Sequence, residues 1–161
     1  MRIGHGYDVH RLTRGRKCIL CGVEIDSDFG PDGHSDADVP VHALMDAMLG
    51  ALALGDIGVH FPPTDDKWKG ANSIELLNHV YSLVRSHGYT LVNADITIVL
   101  QSPRLAEHIF SMREKLAKML ATSINDISVK ATTEEKLGFT GDGSGVSATA
   151  VVLLAEKNLQ S

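Results

Sequence analysis

The sequence predicts an α/β fold of the α+β type, with a single mixed sheet covered on one face by helices and an N-terminal hairpin. Apolar residues recur with helical spacing in three segments, and strand-like runs precede, separate and follow these segments. The length of the chain agrees with one such domain, because 161 residues with 43% apolar content can form one hydrophobic core and are too few for two ordinary domains. Without a repeat or linker, residues 1–161 are expected to form a single domain.

The first third of the chain is predicted to form the hairpin. Residues 2–7 and 18–25 are strand-like, and the Gly/Pro/Asp-rich residues 27–33 are typical of a loop. Cys18 and Cys21 form a C-x-x-C, a spacing that can carry redox or metal chemistry. In a continuous strand, positions three apart face opposite sides, so we interpret both cysteines as small strand residues.

The rest of the chain is predicted to contain three helices and three strands. Apolar positions between residues 39 and 54 have helical spacing, with Asp36 or Asp38 placed to cap the start and Gly55 to end the helix. Residues 56–70 are polar and proline-rich and are expected to form a long loop that can act as a lid. The later elements are a helix over 74–84, a strand over 90–101, a helix over 105–119, and strands over 127–132 and 146–156.

Charge and hydropathy limit the partners. The formal net charge is −5 and no long Lys/Arg run occurs, which argues against nucleic acid because a phosphate backbone needs a basic surface. A small anionic ligand is compatible with this charge. The N-terminus lacks a signal- or transit-peptide pattern, and no apolar stretch is long enough to span a bilayer. We therefore expect a cytoplasmic protein with no membrane partner.

Two polar clusters favour a metal site. Asp8 and His10 lie two residues apart in a strand-like run, so their side chains share a face. A helix starting near Asp38 would stack Asp38, His42 and Asp46 on one stripe. Two imidazoles and one carboxylate would suit Zn²⁺ and leave its fourth position open for substrate or water. An Asp-x-His pair by itself is more often a hydrogen-bonded loop; the second cluster, which also contains His34, Ser35 and Asp36, favours the metal.

A third cluster is typical of phosphate binding. Thr132 and Thr133 end a predicted strand, and Glu134 and Glu135 follow. Hydroxyls and helix N-terminal amides bind phosphate oxygens, and a carboxylate such as Glu135 can hold Mg²⁺. The alternative is a capping signal with a solvated charge run. The glycine-rich residues 138–145 match neither nucleotide-binding loop pattern and are interpreted as a flexible turn.

Five motifs span most of the chain: GHGYDVH at 4–10, HSDADVPVHALMDAMLGALALGDIG at 34–58, FPPTD at 61–65, DITIVLQSPR at 95–104 and VKATTEEKLGFTG at 129–141. In order and spacing they resemble the 2-C-methyl-D-erythritol 2,4-cyclodiphosphate synthase family of the non-mevalonate isoprenoid pathway. The resemblance implies a phosphorus-oxygen lyase. In its reaction the 2-phosphate of 4-diphosphocytidyl-2-C-methyl-D-erythritol 2-phosphate attacks the β-phosphorus, closes a cyclic diphosphate and expels CMP.

The resemblance also implies roles for individual residues. Asp8, His10 and His42 would bind Zn²⁺, and Glu135 would bind Mg²⁺ or Mn²⁺. His34 and Thr133 would stabilise the transition state. The substrate, which would also contact the residues just named, would be surrounded by Ser35, Asp56, Gly58, Phe61 and Asp65 at its methylerythritol part, by Leu100, Ser102, Pro103, Arg104, Leu105, Ala131 and Thr132 at its cytidine and phosphate part, and by Phe139. The family implies a homotrimer with active sites between neighbouring subunits.

Two positions depart from the family pattern, and two other functions stay open. Asp142 stands where many relatives carry an arginine lining a central cavity that can bind an isoprenoid diphosphate, so we expect no such binding here. Glu134 replaces a commoner threonine and adds charge beside Glu135. The same metal ligands would also serve a zinc phosphohydrolase, in which water attacks, or a non-enzymatic trimeric metal-binding module.

Overall fold

A computed structural model describes residues 1–62, 64–68 and 70–157; Pro63 and Lys69, in the predicted loop over 56–70, and residues 158–161 of the predicted domain lie outside the described residues. The strands are β1 Arg2–Arg14, β2 Cys18–Leu20, β3 Val23–Ile25, β4 Phe29–Pro31, β5 Tyr89–Val99, β6 Ile127–Thr132 and β7 Gly145–Glu156. The helices are α1 Val39–Ala51, α2 Ile57–His60, α3 Ser73–Ser86, α4 Ile109–Met119 and α5 Gly138–Gly141. Single 3₁₀ turns cover Asp66–Trp68 and Ile124–Asp126.

The main sheet has five strands in the order β4-β1-β7-β5-β6. Only β5 and β6 run parallel, so the sheet is mixed, as predicted. Helix α1 packs across β1 and β7, α3 packs on α1, and α4 packs beside β6. The inward residues of β7 are wholly buried under α1, among them Ala148, Ala150 and Val152. The predicted α+β fold, with helices on one face, is therefore confirmed.

The predicted N-terminal hairpin is wrong. Strand β1 pairs with β7 along most of its length and with β4 near its end, whereas residues 18–25 form a separate two-stranded sheet of β2 and β3. The predicted second strand is broken at Cys21 and Gly22, whose φ angles of 51° and 72° make a tight turn. Cys18 lies in β2 as predicted, but Cys21 lies in this turn. Both are buried free thiols, and burial raises the pKa of Cys18 to about 11.

Several predicted boundaries also need correction. The predicted loop over 27–33 contains β4, because Phe29–Pro31 pairs with the end of β1. The predicted loop over 56–70 contains α2 and a 3₁₀ turn, since Asp56 caps α2 with a side-chain oxygen that accepts from Val59 N. The helix predicted from residue 105 begins at Ile109. Part of the predicted glycine-rich turn is the helical α5.

The face of the sheet opposite α1 carries apolar side chains that none of the described elements covers. Ile3, Tyr7, Val9 and Val151 are 73%, 50%, 43% and 39% exposed. These residues are called the open sheet face below. Among the described residues, no helix combines the length and apolar character needed to cross a membrane.

Candidate metal centre and two clefts

Asp8, His10 and His42 converge between β1 and α1. Each offers a ligand atom, and these atoms all lie within 4.8 Å of one another. Asp8 Oδ2 is 3.2 Å from His10 Nε2 and 2.9 Å from His42 Nδ1. One carboxylate and two imidazoles at this separation form a donor set for a divalent ion with room for a further ligand.

Local structure explains why the three side chains meet. Strand alternation places Asp8 and His10 on the face covered by α1. Gly6 precedes them on that face, and a Cβ there would collide with the carbonyl oxygen of Ala43 in α1. The missing side chain therefore lets the helix backbone rest directly on the strand, and His42, the neighbour of Ala43, reaches Asp8.

His10 is oriented by the segment that follows β4. Its Nδ1 lies 2.6 Å from the carbonyl oxygen of Asp32. A carbonyl only accepts hydrogen bonds, so this contact places a proton on Nδ1 and turns Nε2 towards Asp8. Arg16 braces the same segment, because its guanidinium donates to the carbonyl oxygen of Gly33 at 3.1 Å and lies 3.7 Å from the Asp32 carboxylate.

The electrostatics of the cluster favour a charged carboxylate. Burial alone would raise the pKa of Asp8, but hydrogen bonds and charge from His10 and His42 outweigh it and hold that pKa below its usual value. The hydrogen bond to Asp8 raises the pKa of His10 against the opposing effect of burial. An anionic carboxylate between two imidazoles is the state that a cation requires of its ligands.

The other two acids of the predicted helical stripe bind backbone groups rather than joining His42 at the cluster. Asp38 is fully buried and accepts from the backbone N of Cys21 at 2.8 Å, which ties the β2–β3 turn to the start of α1. Its burial raises the pKa of Asp38 to about 7. Asp46 accepts from the backbone N of Ile57 at 2.8 Å and holds the start of α2. Their sequence spacing is helical, but their roles are structural.

A first cleft of about 180 Å³ opens beside His42. Its lining brings together four of the predicted site residues, His34, Ser35, Gly58 and Phe61, with His42. It adds residues that sequence reasoning missed: Met45, Ile57, Trp68 and Leu76. Trp68 contacts Phe61 edge to face at 5.0 Å between ring centres. The presence of a tryptophan in the loop predicted over residues 56–70 could have drawn attention to Trp68 from the sequence.

Two predicted substrate residues do not line this cleft. Asp56 caps α2 by accepting from Val59 N at 3.0 Å. Asp65 is exposed, and its Oδ1 accepts from Lys67 N at 3.0 Å. In this structure both carboxylates therefore hold the backbone of the segment around the cleft.

A second cleft of about 450 Å³ lies where β5 and β6 end. It brings together most of the predicted cytidine and phosphate residues, and sequence reasoning missed three of its members. The lining consists of Leu100, Gln101, Pro103, Arg104, Leu105, Ala106, Ile109, Ala131, Thr132 and Thr133. Ser102 is not part of the lining, although a cis peptide joins it to Pro103.

Thr133 and Glu135 form a small polar group at the rim of the second cleft. Thr133 Oγ1 donates to Glu135 Oε1 at 3.1 Å, and both residues are exposed enough to meet a ligand. Glu134 points elsewhere and accepts from the hydroxyl of Thr140. Glu134, the residue that departs from the family pattern, therefore takes no part in the hydrogen bond between Thr133 and Glu135.

Phe139 and Asp142 line neither cleft. Phe139 is 45% exposed and lies against Gly145 at the start of β7. Asp142 ends α5, and hydrogen bonds from Ser144 lower its pKa, so it presents a negative charge. Phe139 is therefore the predicted substrate residue at the start of β7, where the His10 carbonyl oxygen also lies against Gly145.

Sheet register separates the two clefts. Asp8 pairs with Ala148, Ala148 with Ile98, and Ile98 with Ala131, so Asp8 and Ala131 lie at the same level three strands apart. Neighbouring strands are about 4.8 Å apart, which places the two positions roughly 14 Å from each other. The clefts share no lining residue. One chain therefore carries two separate clefts rather than one closed site.

These features define a class of protein: an α+β protein with a carboxylate and two imidazoles converging beneath one helix, and with a separate cleft at the far edge of its sheet. Comparison with known proteins narrows the class. The model of the YgbB family matches residues 1–155, and the chain belongs to this family.

Named relatives agree with this assignment. The chain is 58% identical over 154 residues to a protein of Clostridioides difficile named 2-C-methyl-D-erythritol 2,4-cyclodiphosphate synthase, covering 96% of each. It resembles a solved structure of such a synthase in a form with CDP bound, at 40% identity and a TM-score of 0.89, covering 96% of this chain and 100% of the other. A Plasmodium falciparum IspF–CDP complex matches at 32% identity and a TM-score of 0.86, covering 98% and 97%.

Proposed function

We propose that this protein converts 4-diphosphocytidyl-2-C-methyl-D-erythritol 2-phosphate to 2-C-methyl-D-erythritol 2,4-cyclodiphosphate and CMP in isoprenoid precursor synthesis. A 2-phosphate oxygen forms a bond to the β-phosphorus, and the bond from that phosphorus to the CMP oxygen breaks, so CMP leaves with the electron pair. Family membership and the names of relatives that are 54–59% identical support the reaction. The observation that carries it in the structure is the Asp8, His10 and His42 cluster beside the first cleft.

The cluster fits Zn²⁺ as the resident metal. Two imidazole nitrogens and one carboxylate oxygen are the donors that zinc binds in catalytic sites with an open position. A bound zinc ion would supply charge neutralisation and a template for one substrate phosphate. Its three ligands would hold the ion between β1 and α1, and His42, which is 7% exposed, also lines the first cleft.

The first cleft would hold the methylerythritol part. Phe61, Trp68 and Leu76 offer apolar and aromatic surface to its carbon skeleton, whereas His34 and Ser35 face its phosphates. We propose His34 as a transition-state donor, because an imidazole beside a developing phosphate charge contributes by electrostatic stabilisation. No side chain needs to act as nucleophile, since the attacking oxygen belongs to the substrate.

The second cleft would hold cytidine and the diphosphate. Ala131, Thr132 and Thr133 lie at the end of β6, and Arg104 is a cation in the same lining. Thr133 would donate to the β-phosphate, and Glu135 would hold Mg²⁺ or Mn²⁺, a hard ion suited to carboxylate and phosphate oxygens. Solved synthase structures named with bound CDP support a nucleotide ligand.

A homotrimer would bring the metal centre and first cleft of one subunit beside the second cleft of its neighbour, so that each forms a half-site. Within one chain Asp8 and Ala131 lie roughly 14 Å apart by strand spacing. Residues beside these two positions are therefore too far apart to contact the same phosphate group. The open sheet face supplies the apolar surface that association of like subunits buries. We propose that one subunit supplies the zinc ligands and its neighbour supplies the second cleft. We place the reaction in the cytoplasm, because its substrate is multiply charged and does not cross a lipid bilayer unaided.

Product analysis tests the reaction. Purified protein with Zn²⁺ and Mg²⁺ is given the cytidyl substrate, and phosphorus NMR is expected to show a cyclic diphosphate together with one equivalent of CMP. A linear phosphate product would instead identify the zinc phosphohydrolase, which the open metal position also permits. Bound zinc without turnover would favour a non-enzymatic module.

Subunit complementation tests the shared site. His42→Ala and Thr133→Ala damage opposite half-sites, so each variant alone is expected to turn over slowly. Co-expressed in equal amounts, they would leave about one interface in four intact, and about a quarter of wild-type activity would return. A mixture no faster than the two separate variants would contradict sites built between subunits.

A further inference from the structure

A buried hydroxyl holds His42 on the side away from Asp8. Ser73 is the first residue of α3 and is fully buried. Its Oγ lies 3.0 Å from His42 Nε2, whereas His42 Nδ1 faces Asp8. The two ring nitrogens of His42 therefore have different partners, one at the metal centre and one on α3.

The proton of the Ser73 hydroxyl is already committed. Ser73 Oγ donates to Asp36 Oδ1, and an ionised carboxylate only accepts. A serine hydroxyl has one proton, so towards His42 the Ser73 oxygen can act only as an acceptor. The contact therefore requires a proton on His42 Nε2 and leaves Nδ1 as the ligand nitrogen on the Asp8 side.

Asp36 is itself fixed by the backbone. Its Oδ2 accepts from Ser73 N at 3.0 Å, and its Oδ1 accepts from Asp38 N at 3.3 Å. The carboxylate therefore joins the start of α3 to the segment that leads into α1. Because His42 lies on α1, the contacts from His42 to Ser73 to Asp36 connect the metal centre to the packing of two helices.

Ser35 offers His42 a less selective contact. Its Oγ lies 3.2 Å from His42 Nε2 and accepts from Ala37 N at 3.1 Å. The Ser35 proton is not committed by these contacts, so this hydroxyl can donate to His42 or accept from it. Only Ser73, with its proton held by Asp36, imposes one tautomer.

We propose that Ser73 and Asp36 are positioning residues of the metal centre, which hold the His42 ring in place with its proton on Nε2. Partners of this kind behind metal-bound histidines typically change metal affinity 10- to 100-fold when removed. The inference rests on the proposed zinc ligands and extends them to two residues that would touch neither metal nor substrate.

Zinc affinity of the folded protein tests the inference without turnover. Metal-free protein is titrated with Zn²⁺ against a chromophoric chelator, and His42→Ala marks the loss of a ligand. Ser73→Ala and Asp36→Asn are expected to weaken zinc binding 10- to 100-fold. Ser86→Ala, the same change at the exposed end of α3, is expected to leave affinity unchanged. Ser73→Thr retains the hydroxyl and is expected to restore most of the affinity.

A spectroscopic readout separates orientation from general damage. In zinc-loaded wild type, the His42 Nε2 proton is expected to give a slowly exchanging imidazole signal in ¹H–¹⁵N spectra, because Ser73 accepts it in a buried site. Ser73→Ala is expected to broaden or lose that signal while circular dichroism and the thermal midpoint show that the fold persists. If Ser73→Ala does not fold, Asp36→Asn and Ser73→Thr decide the comparison.

Two results would overturn the inference in distinguishable ways. Wild-type protein that binds zinc no better than His42→Ala would remove the proposed metal centre and this inference with it. Wild-type zinc affinity and an unchanged imidazole signal in both Ser73→Ala and Asp36→Asn would leave the metal centre in place and refute the positioning role alone.

Discussion

The close approach of α1 to β1 can be tested by adding one methyl group, in Gly6→Ala. Besides colliding with the Ala43 carbonyl oxygen, a Cβ at Gly6 would lie 2.7 Å from the backbone N of Ala47. Ordinary non-bonded contacts are about 3.5 Å or more, and the clash with the Ala43 carbonyl oxygen is the closer one, so α1 must retreat by roughly 1.5 Å. Overpacking against flexible side chains costs about 1–3 kcal/mol, and backbone relaxes less easily, so we expect a loss of about 3 kcal/mol.

The same displacement should reach the metal centre. His42 Nδ1 is 2.9 Å from Asp8 Oδ2, and a retreat of about 1.5 Å would move His42 Nδ1 away from the position in which these two ligand atoms can bind one ion. Because metal sites tolerate only about ±0.2 Å in ligand distance, we expect zinc affinity to fall at least about tenfold. Urea unfolding of the metal-free protein measures the first effect, and zinc titration against a chelator measures the second.

Gly50→Ala is the matched control on the same helix. Gly50 is exposed, and an added Cβ would meet only the carbonyl oxygen of His5 at 3.9 Å, so the change should stabilise the protein by about 0.5–1 kcal/mol. Opposite signs for the two variants are the expected result. Gly6→Ala unfolding within about 0.5 kcal/mol of wild type, with unaltered zinc affinity, would refute the role given to the missing side chain.

Four further outcomes follow from named contacts. Asp8→Asn should weaken zinc binding by removing the anionic ligand, measured by metal analysis after dialysis; retention of one zinc per chain would contradict this ligand assignment. Thr133→Ala should keep zinc but lower kcat, measured under saturating substrate, and an unchanged kcat would remove Thr133 from the transition state. Trp68→Ala should raise KM more than it lowers kcat, because it opens the wall of the first cleft; steady-state kinetics would show the reverse if Trp68 acted on the chemistry. Burial raises the pKa of Asp38 from 3.8 to about 7, so the folded state binds the extra proton in this window and stability should fall as pH rises through it. Urea unfolding of metal-free wild type beside Asp38→Asn from pH 4 to 9 would show no such difference in slope if Asp38 titrated normally.

Local patterns predicted the elements that depend on neighbours in sequence. Helical spacing located α1, α3 and most of α4, because an amphipathic stripe records which face packs on the sheet. Alternation placed Asp8 and His10 on one face of β1, and the structure brings them together with His42. Residue type and spacing carry this information before any long-range contact forms.

Other roles depended on contacts that spacing does not record. Asp38, His42 and Asp46 are equivalent by their four-residue spacing, yet only His42 meets Asp8. The Asp38 carboxylate accepts a hydrogen bond from the backbone of the Cys21–Gly22 turn, and the Asp46 carboxylate accepts one from the start of α2. The predicted hairpin failed for a related reason: β1 found its partner in β7, more than a hundred residues away in sequence.

The sequence by itself determined the fold class, the strand and helix types and the residue types of a metal site, because these follow from hydrophobic period and side-chain chemistry. Only the tertiary structure decided that Asp38 and Asp46 bind backbone groups, which hydroxyl holds His42, and that the two clefts lie three strands apart. The physical reason is that strand order, register and helix approach are set by packing between distant segments. The missing side chain at Gly6 and the hydrogen bond from Ser73 to Asp36 influence His42 only because folding brings those segments together.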